Sequence, residues 1–110
     1  MFDGIAGSLE KYMTLLGDRQ KLVASNIANA DTPGYRTRDI DFQAEFQSLI
    51  DGAGPNVIEP DNLPVRNDGN NVSIDRESRL LAENALRYNL ASTLARAQIR
   101  LVRAAIQEKT

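Results

Sequence analysis

The sequence predicts an all-α, elongated fold: two long N- and C-terminal helices forming a coiled-coil-like pair, with an irregular middle segment between them. Three observations predict it. Apolar and small residues recur at 3-4 spacing from Ile5 to Ala30, and again from Ile74 to Ile106. All four prolines (Pro33, Pro55, Pro60, Pro64) fall between those stretches. No apolar run approaches the roughly 20 residues of a membrane span. The chain is accordingly divided into residues 1–31, 32–73 and 74–110, together one structural domain.

The first helix is expected over residues 3–30. Its stripe is Ile5, Leu9, Tyr12, Leu16, Val23, Ile27 and Ala30, widened by Leu15 and Leu22. Gly4, Gly7 and Gly17 each weaken it by about 1 kcal/mol relative to alanine, so the far N-terminus is expected to order on assembly. It should end near Asn29 to Asp31, because Pro33 pushes Thr32 out of the α region. Thr32-Pro33-Gly34-Tyr35 fits a type II turn, with proline second and glycine third.

In the middle segment Asp41 is placed to cap a short helix, Phe42 to Asp51, with Phe42, Phe46, Leu49 and Ile50 as its apolar face. Gly52-Ala53-Gly54-Pro55 should stop it. Leu63/Val65 and Val72/Ile74 flank Asn67-Asp68-Gly69, the pattern of a small hairpin. Residues 51–71 fit a mobile segment equally well.

The second long helix is expected over 75–108, with Asp75 as N-cap and Glu77 complementing the helix dipole. One stripe runs Ile74, Ser78, Leu81, Ala85, Tyr88, Ser92, Ala95, Ile99, Val102, Ile106. A second runs Leu86, Leu90, Leu94, Ala97, Leu101, Ala104. Two stripes with one long intrachain partner imply that the first packs within the subunit and the second, with Leu94 and Leu101, meets other chains. A single broad apolar face is the competing reading.

Composition narrows function. The 110 residues contain no cysteine and no histidine, which removes thiol chemistry, the usual metal ligand and the usual general base at neutral pH. Tryptophan is absent and aromatics are 5% of residues, poor material for stacking on bases. The reading is therefore not an enzyme, with no cofactor, metal or small-molecule substrate. Asp39, Asp41 and Glu45 form an acidic cluster read as a solvated face rather than a metal site. Charge is polarised: residues 39–68 carry seven acids against Arg66, whereas residues 76–110 carry seven basic residues against Glu77, Glu83 and Glu108. Such asymmetry can steer subunits onto one another. Arg96, Arg100 and Arg103 share a helix face and are read as an intersubunit ionic contact. A small coiled-coil nucleic-acid-binding protein using the same arginines is the alternative function.

The motif at the end of the first helix carries the most information. Ala24, Ser25, Ala28 and Ala30 are small enough for another helix to approach closely. Asn26 and Asn29, three apart, present amides that can fix register at a helix interface. Tyr35 can then pack back with its hydroxyl satisfied. Residue types alone also fit an ordinary helix end with a proline turn. The string Asn26-Ile27-Ala28-Asn29-Ala30-Asp31-Thr32-Pro33-Gly34-Tyr35-Arg36 resembles the signature of bacterial flagellar axial proteins, the rod, hook and hook-junction subunits. The likeness continues through Thr37–Phe42, Gly69–Asp75 and Glu83–Asn89, is weakest over 51–66, and is greatest to the proximal-rod members of the basal-body rod protein family.

The resemblance implies a structural subunit whose terminal helices pair into an axial core, with Asn26, Asn29, Thr32, Pro33, Gly34 and Tyr35 as the signature. It implies partners: copies of itself, other rod proteins, and the membrane-ring and export-gate components at the rod base, but no nucleic acid. It also implies a periplasmic location in the basal body, reached by flagellar type III export without a cleaved signal peptide. The opening Met1-Phe2-Asp3-Gly4-Ile5 shows no basic region leading into an apolar core, as that route expects.

Overall fold

A computed structural model of the chain describes residues 2–50 and 56–108. Five elements follow in order: α1 (Phe2–Ala28), β1 (Asp39–Ile40), α2 (Phe42–Ile50), β2 (Val57–Ile58) and α3 (Ile74–Glu108). The side chains of Ile5, Leu49 and Ile50 and the Gly52–Pro55 stop lie outside the described residues. The body measures 68 × 26 × 17 Å with a radius of gyration of 18.0 Å. A compact chain of this length would have about 13 Å. The excess comes from two helices lying side by side as rods.

They run in opposite directions. Asn26 meets Glu77, Gln20 meets Asn84, and Leu9 lines one groove with Ala95 and Ile99. On α1 the seam is apolar, with Leu15, Leu16 and Val23 buried. On α3 the buried positions are Glu77, Asn84 and Ala91, seven residues apart and so on one face. Neither predicted stripe of α3 forms that seam. Leu81, Tyr88, Ile99 and Ile106 of the first stripe remain 40–60% exposed beside it, and Leu86, Leu90, Leu94 and Leu101 of the second remain 51–71% exposed. The physical reason is polar pairing together with close approach. Glu77 and Asn84 are held in the seam by hydrogen bonds to Asn26 and Gln20 of α1, and Ala91 lets the backbones approach.

The short helix α2 packs on α1. Tyr12 meets the rings of Phe42 and Phe46 edge-on, with centroids 5.4 and 5.7 Å away. Asp41 starts α2 as expected: its carbonyl accepts from the Glu45 amide at 2.9 Å, and its carboxylate faces the Ala44 amide at 3.4 Å. Three other expectations are corrected. The helix α3 begins at Ile74 and is capped by Ser73, not Asp75, because the Ser73 Oγ accepts from the Arg76 amide at 3.2 Å. The hairpin is not built from residues 63–65 and 72–74. Instead β1 pairs antiparallel with β2, Asp39 opposite Ile58 and Ile40 opposite Val57. Asn67-Asp68-Gly69 does turn the chain, closed by the Gly69 amide on the Arg66 carbonyl at 2.9 Å, but no ladder extends from it. Nor is the acidic cluster a solvated face, since Asp39 and Glu45 are buried and only Asp41 is exposed.

Two glycines meet where α1 ends. Gly34 has φ +77°, and the Tyr35 amide returns to the Thr32 carbonyl at 3.2 Å, the geometry of the expected turn. Gly69 has φ +85°, and a Cβ there would stand 3.3 Å from the Gly34 Cα. Left-handed backbone costs a non-glycine residue about 1–2 kcal/mol. Gly69→Ala is therefore expected to destabilise the chain by about 2 kcal/mol, since backbone rather than a flexible side chain must yield. Urea unfolding of the variant measures it, and an unchanged midpoint would contradict the contact.

Candidate assembly surface and the elbow that positions it

Where α1 stops, the chain folds through an elbow that is buried but polar. Among the described residues, eight buried side chains are polar or charged and six are apolar. The elbow holds most of the former, so hydrogen bonding rather than apolar burial fixes the angle between the helices and the middle segment.

Asn26 is its centre and is fully buried. Its Nδ2 donates to the Arg38 carbonyl at 2.8 Å and to Glu77 Oε1 at 2.9 Å. Its Oδ1 accepts from the Tyr35 hydroxyl at 3.0 Å and from the Arg38 amide at 3.1 Å. All four hydrogen-bonding positions of the amide are used. The structure thus gives Asn26 a register role inside the subunit, joining α1, the strand approach and α3. Asn29 works locally. Its Nδ2 donates to the Ser25 carbonyl at 2.9 Å, and its Oδ1 accepts from Thr32 Oγ1 at 3.1 Å. Pro33 and Gly34 are exposed turn residues, and Tyr35 is half-buried against the amide it serves.

Asn70 and Asn71 complete the elbow. Asn70 Nδ2 donates to the carbonyls of Asn29 and Thr32 at 2.9 and 2.8 Å, satisfying backbone groups that a helix end leaves without partners. Asn71 Oδ1 accepts from the Thr37 amide at 2.6 Å. Arg66 donates to the carbonyls of Ala30 and Val72. Residues 66–72 therefore act as a clasp over the end of α1. Their signals in the sequence are the Asn67-Asp68-Gly69 turn pattern and the second stretch of family likeness, Gly69–Asp75.

A four-charge cluster lies beneath. Asp39 is clamped by Arg19, with Nε at 3.0 Å and Nη2 at 3.1 Å, and by Arg76 Nη2 at 2.6 Å. Burial alone would raise the Asp39 pKa. The hydrogen bonds from Arg19 and the Ile40 amide, the Arg19 charge and Arg76 outweigh it and hold the carboxyl below its ordinary value. Glu77 is the opposite case. Burial pushes its pKa up, opposed by Arg76 and Asn26 and reinforced by the Asp39 charge, and its Oε2 has no protein partner.

The two groups predict different variants. Asp39 stabilises the fold above the ordinary carboxylate range, and that contribution is lost as pH falls through its lowered pKa. Glu77, with its raised pKa, favours the fold when protonated and loses that contribution as pH rises. Asp39→Asn is expected to cost about 3 kcal/mol at pH 7, because the part-buried Arg19 loses its counter-charge and Arg76 is left with Glu77 alone. Glu77→Gln is expected to stay within about 1 kcal/mol of wild type, since Arg76 keeps Asp39. Urea midpoints at pH 7 and pH 4 check both. A larger loss for Glu77→Gln than for Asp39→Asn at pH 7 would overturn the assignment.

The rest of the surface is apolar and open. Twelve large apolar side chains stand exposed among the described residues, and nine of them are on α3. Leu94 and Leu101 belong to this face, and Arg96, Arg100 and Arg103 are exposed along its edge. A groove of about 570 Å³ runs between α1, α2 and α3, lined by Leu9, Tyr12, Phe46, Leu90 and Leu94 among others. Among the described residues there is no group of His, Cys, Asp and Glu able to hold a metal, and no helix is long and apolar enough to cross a membrane. Chains rarely leave apolar patches of this extent uncovered except where another molecule covers them.

Comparison with known proteins shows the family. Residues 13–36, the end of α1 and its turn, match the family of flagella basal body rod proteins. Over the whole chain, the flagellar basal body rod protein FlgB of Yersinia ruckeri is 31% identical, covering 98% of this chain and 99% of the relative. The chain belongs to the FlgB family of flagellar basal body rod proteins. FlgB of Salmonella typhimurium is 30% identical over 83% of this chain and 84% of its own length. FlgB of Borrelia hermsii is 31% identical over 76% and 82%. These relatives are structural proteins by name, and none supports the nucleic-acid reading. The family match falls on the segment that carries Asn26 and the Pro33-Gly34 turn, so the FlgB signature here coincides with the polar elbow.

Proposed function

We propose that this chain is a structural subunit of the proximal part of the flagellar rod, assembling helically with copies of itself and other rod proteins into the drive shaft for motility. The rod so formed encloses the export channel. The observation that carries this reading is the chain-long likeness to FlgB proteins. Its place is the flagellar basal body. Within it we propose a periplasmic position on the membrane-ring and export-gate components, reached by type III export without a cleaved signal peptide. The mechanics follow from the fold. Long helices give axial stiffness, the elbow fixes their register, and the open face of α3, with Leu94, Leu101, Arg96, Arg100 and Arg103, is proposed to meet neighbouring subunits.

Deletion of the gene is expected to abolish swimming, and the wild-type chain supplied in trans is expected to restore it and to co-purify with basal bodies. Normal swimming of the deletion strain, or absence of the chain from purified basal bodies, would refute the reading.

A further inference from the structure

The two ends of this elongated body carry opposite charge, and both also carry uncovered apolar side chains. At the elbow end Glu59, Asp61 and Asp68 are exposed around Val57, Ile58 and Val65, the three large exposed apolar residues that are not on α3. Arg36 and Arg38 are exposed in the same half, while Arg66 is engaged with the carbonyls of Ala30 and Val72. At the far end of α3, Arg96, Arg100 and Arg103 are exposed along the same stretch as Ile99, Leu101 and Ile106, and outnumber Glu108, the exposed acid that ends the helix. None of these three arginines forms an ion pair among the described residues. From Glu77 at the elbow to Arg103, α3 rises about 40 Å. The two surfaces therefore cannot meet within one copy.

We propose that the far end of α3 docks on the acidic hairpin surface of a second copy of this chain, head to tail, with Arg96, Arg100 and Arg103 facing Glu59, Asp61 and Asp68. The occupant is argued from two matches: basic against acidic, and apolar against apolar. A contact between two different patches is heterologous and propagates, whereas a self-complementary one closes into a pair. The direction of the contact rests on the rod-subunit reading, since a rod requires contacts that do not close. Charge sets the register and orientation of docking, and burial of the flanking isoleucines and leucines supplies most of the affinity.

The chain contains no cysteine, so introduced thiols report without background. Asn67 and Ala104 are exposed, one at each end, and neither is a charge in the contact. The test is a chain carrying Asn67→Cys and Ala104→Cys, expressed in flagellated cells lacking the wild-type copy and oxidised in purified basal bodies. The expected result is a ladder of disulfide-linked multimers from the double variant, and none from either single variant. Reversal of Arg96, Arg100 and Arg103 to glutamate is expected to remove the ladder. Adding Glu59→Lys, Asp61→Lys and Asp68→Lys to the same chain is expected to restore it. Circular dichroism of each purified variant separates lost docking from lost folding.

A dimer band alone would show a closed antiparallel pair and overturn the proposal, as would no cross-link in basal bodies that contain the chain. A chain missing from basal bodies even as wild type would instead refute the rod-subunit reading, so the two failures are distinct.

Discussion

Asn26→Leu is expected to unfold the elbow. The side chain is fully buried, and its amide makes four hydrogen bonds to three partners. Leucine has the same number and branching of heavy atoms, so shape is not the main loss. What is lost is the side-chain partner of the Arg38 amide and carbonyl, while the Tyr35 hydroxyl keeps Ser25 Oγ at 3.3 Å and Glu77 Oε1 keeps Arg76 at 2.9 Å. A buried group left unsatisfied costs about 1–3 kcal/mol, and more when charged. The sum is about 4 kcal/mol or more, a large part of the 5–15 kcal/mol that stabilises a typical domain. Asn29→Leu removes one helix-end bond and one bond to the Thr32 hydroxyl, and is expected to cost about 1 kcal/mol. Thermal unfolding followed by circular dichroism ranks the two. Equal losses would show that Asn26 is not the centre of the elbow.

Leu101→Glu is expected to abolish incorporation into basal bodies and swimming, while leaving the helicity of the free chain unchanged. Leu101 is 64% exposed in the single chain, so the charge costs nothing there. If a neighbour covers it, an unpaired carboxylate is buried in the contact, and interface truncations of this kind reach several kcal/mol. Val102, one position on, is half-buried, and Val102→Glu is expected to lower helicity as well. Swimming assays and circular dichroism on both variants separate the two faces. Full motility of Leu101→Glu would remove it from the proposed interface.

How far the sequence alone reached follows from which interactions are local. The long helices, the Thr32–Tyr35 turn and the Asp41 cap depend on residues within four positions of one another, and periodicity and turn chemistry reveal those. The pairing of Asp39–Ile40 with Val57–Ile58 depends on two-residue strands separated by a helix, and no local pattern marks it. The cap of α3 was misread by two residues because Ser73 and Asp75 are both good caps. The α3 seam escaped because hydrophobic periodicity follows leucines, whereas the buried heptad positions are Glu77, Asn84 and Ala91. Of the site, the family signature located Asn26 and Tyr35 but not Glu77. Glu77 lies 51 residues away, and Asn70 reaches back 41 residues to the end of α1.

A polar elbow fixes the subunit, and neighbours in the rod are proposed to cover the outer face of α3. The most direct measurement is maleimide labelling of a Leu101→Cys chain, whose single thiol is the only one present. Rapid labelling of the free chain, protection in intact basal bodies, and recovery of labelling when the basal bodies are denatured is the predicted result. Labelling in intact basal bodies as fast as in the free chain would contradict it.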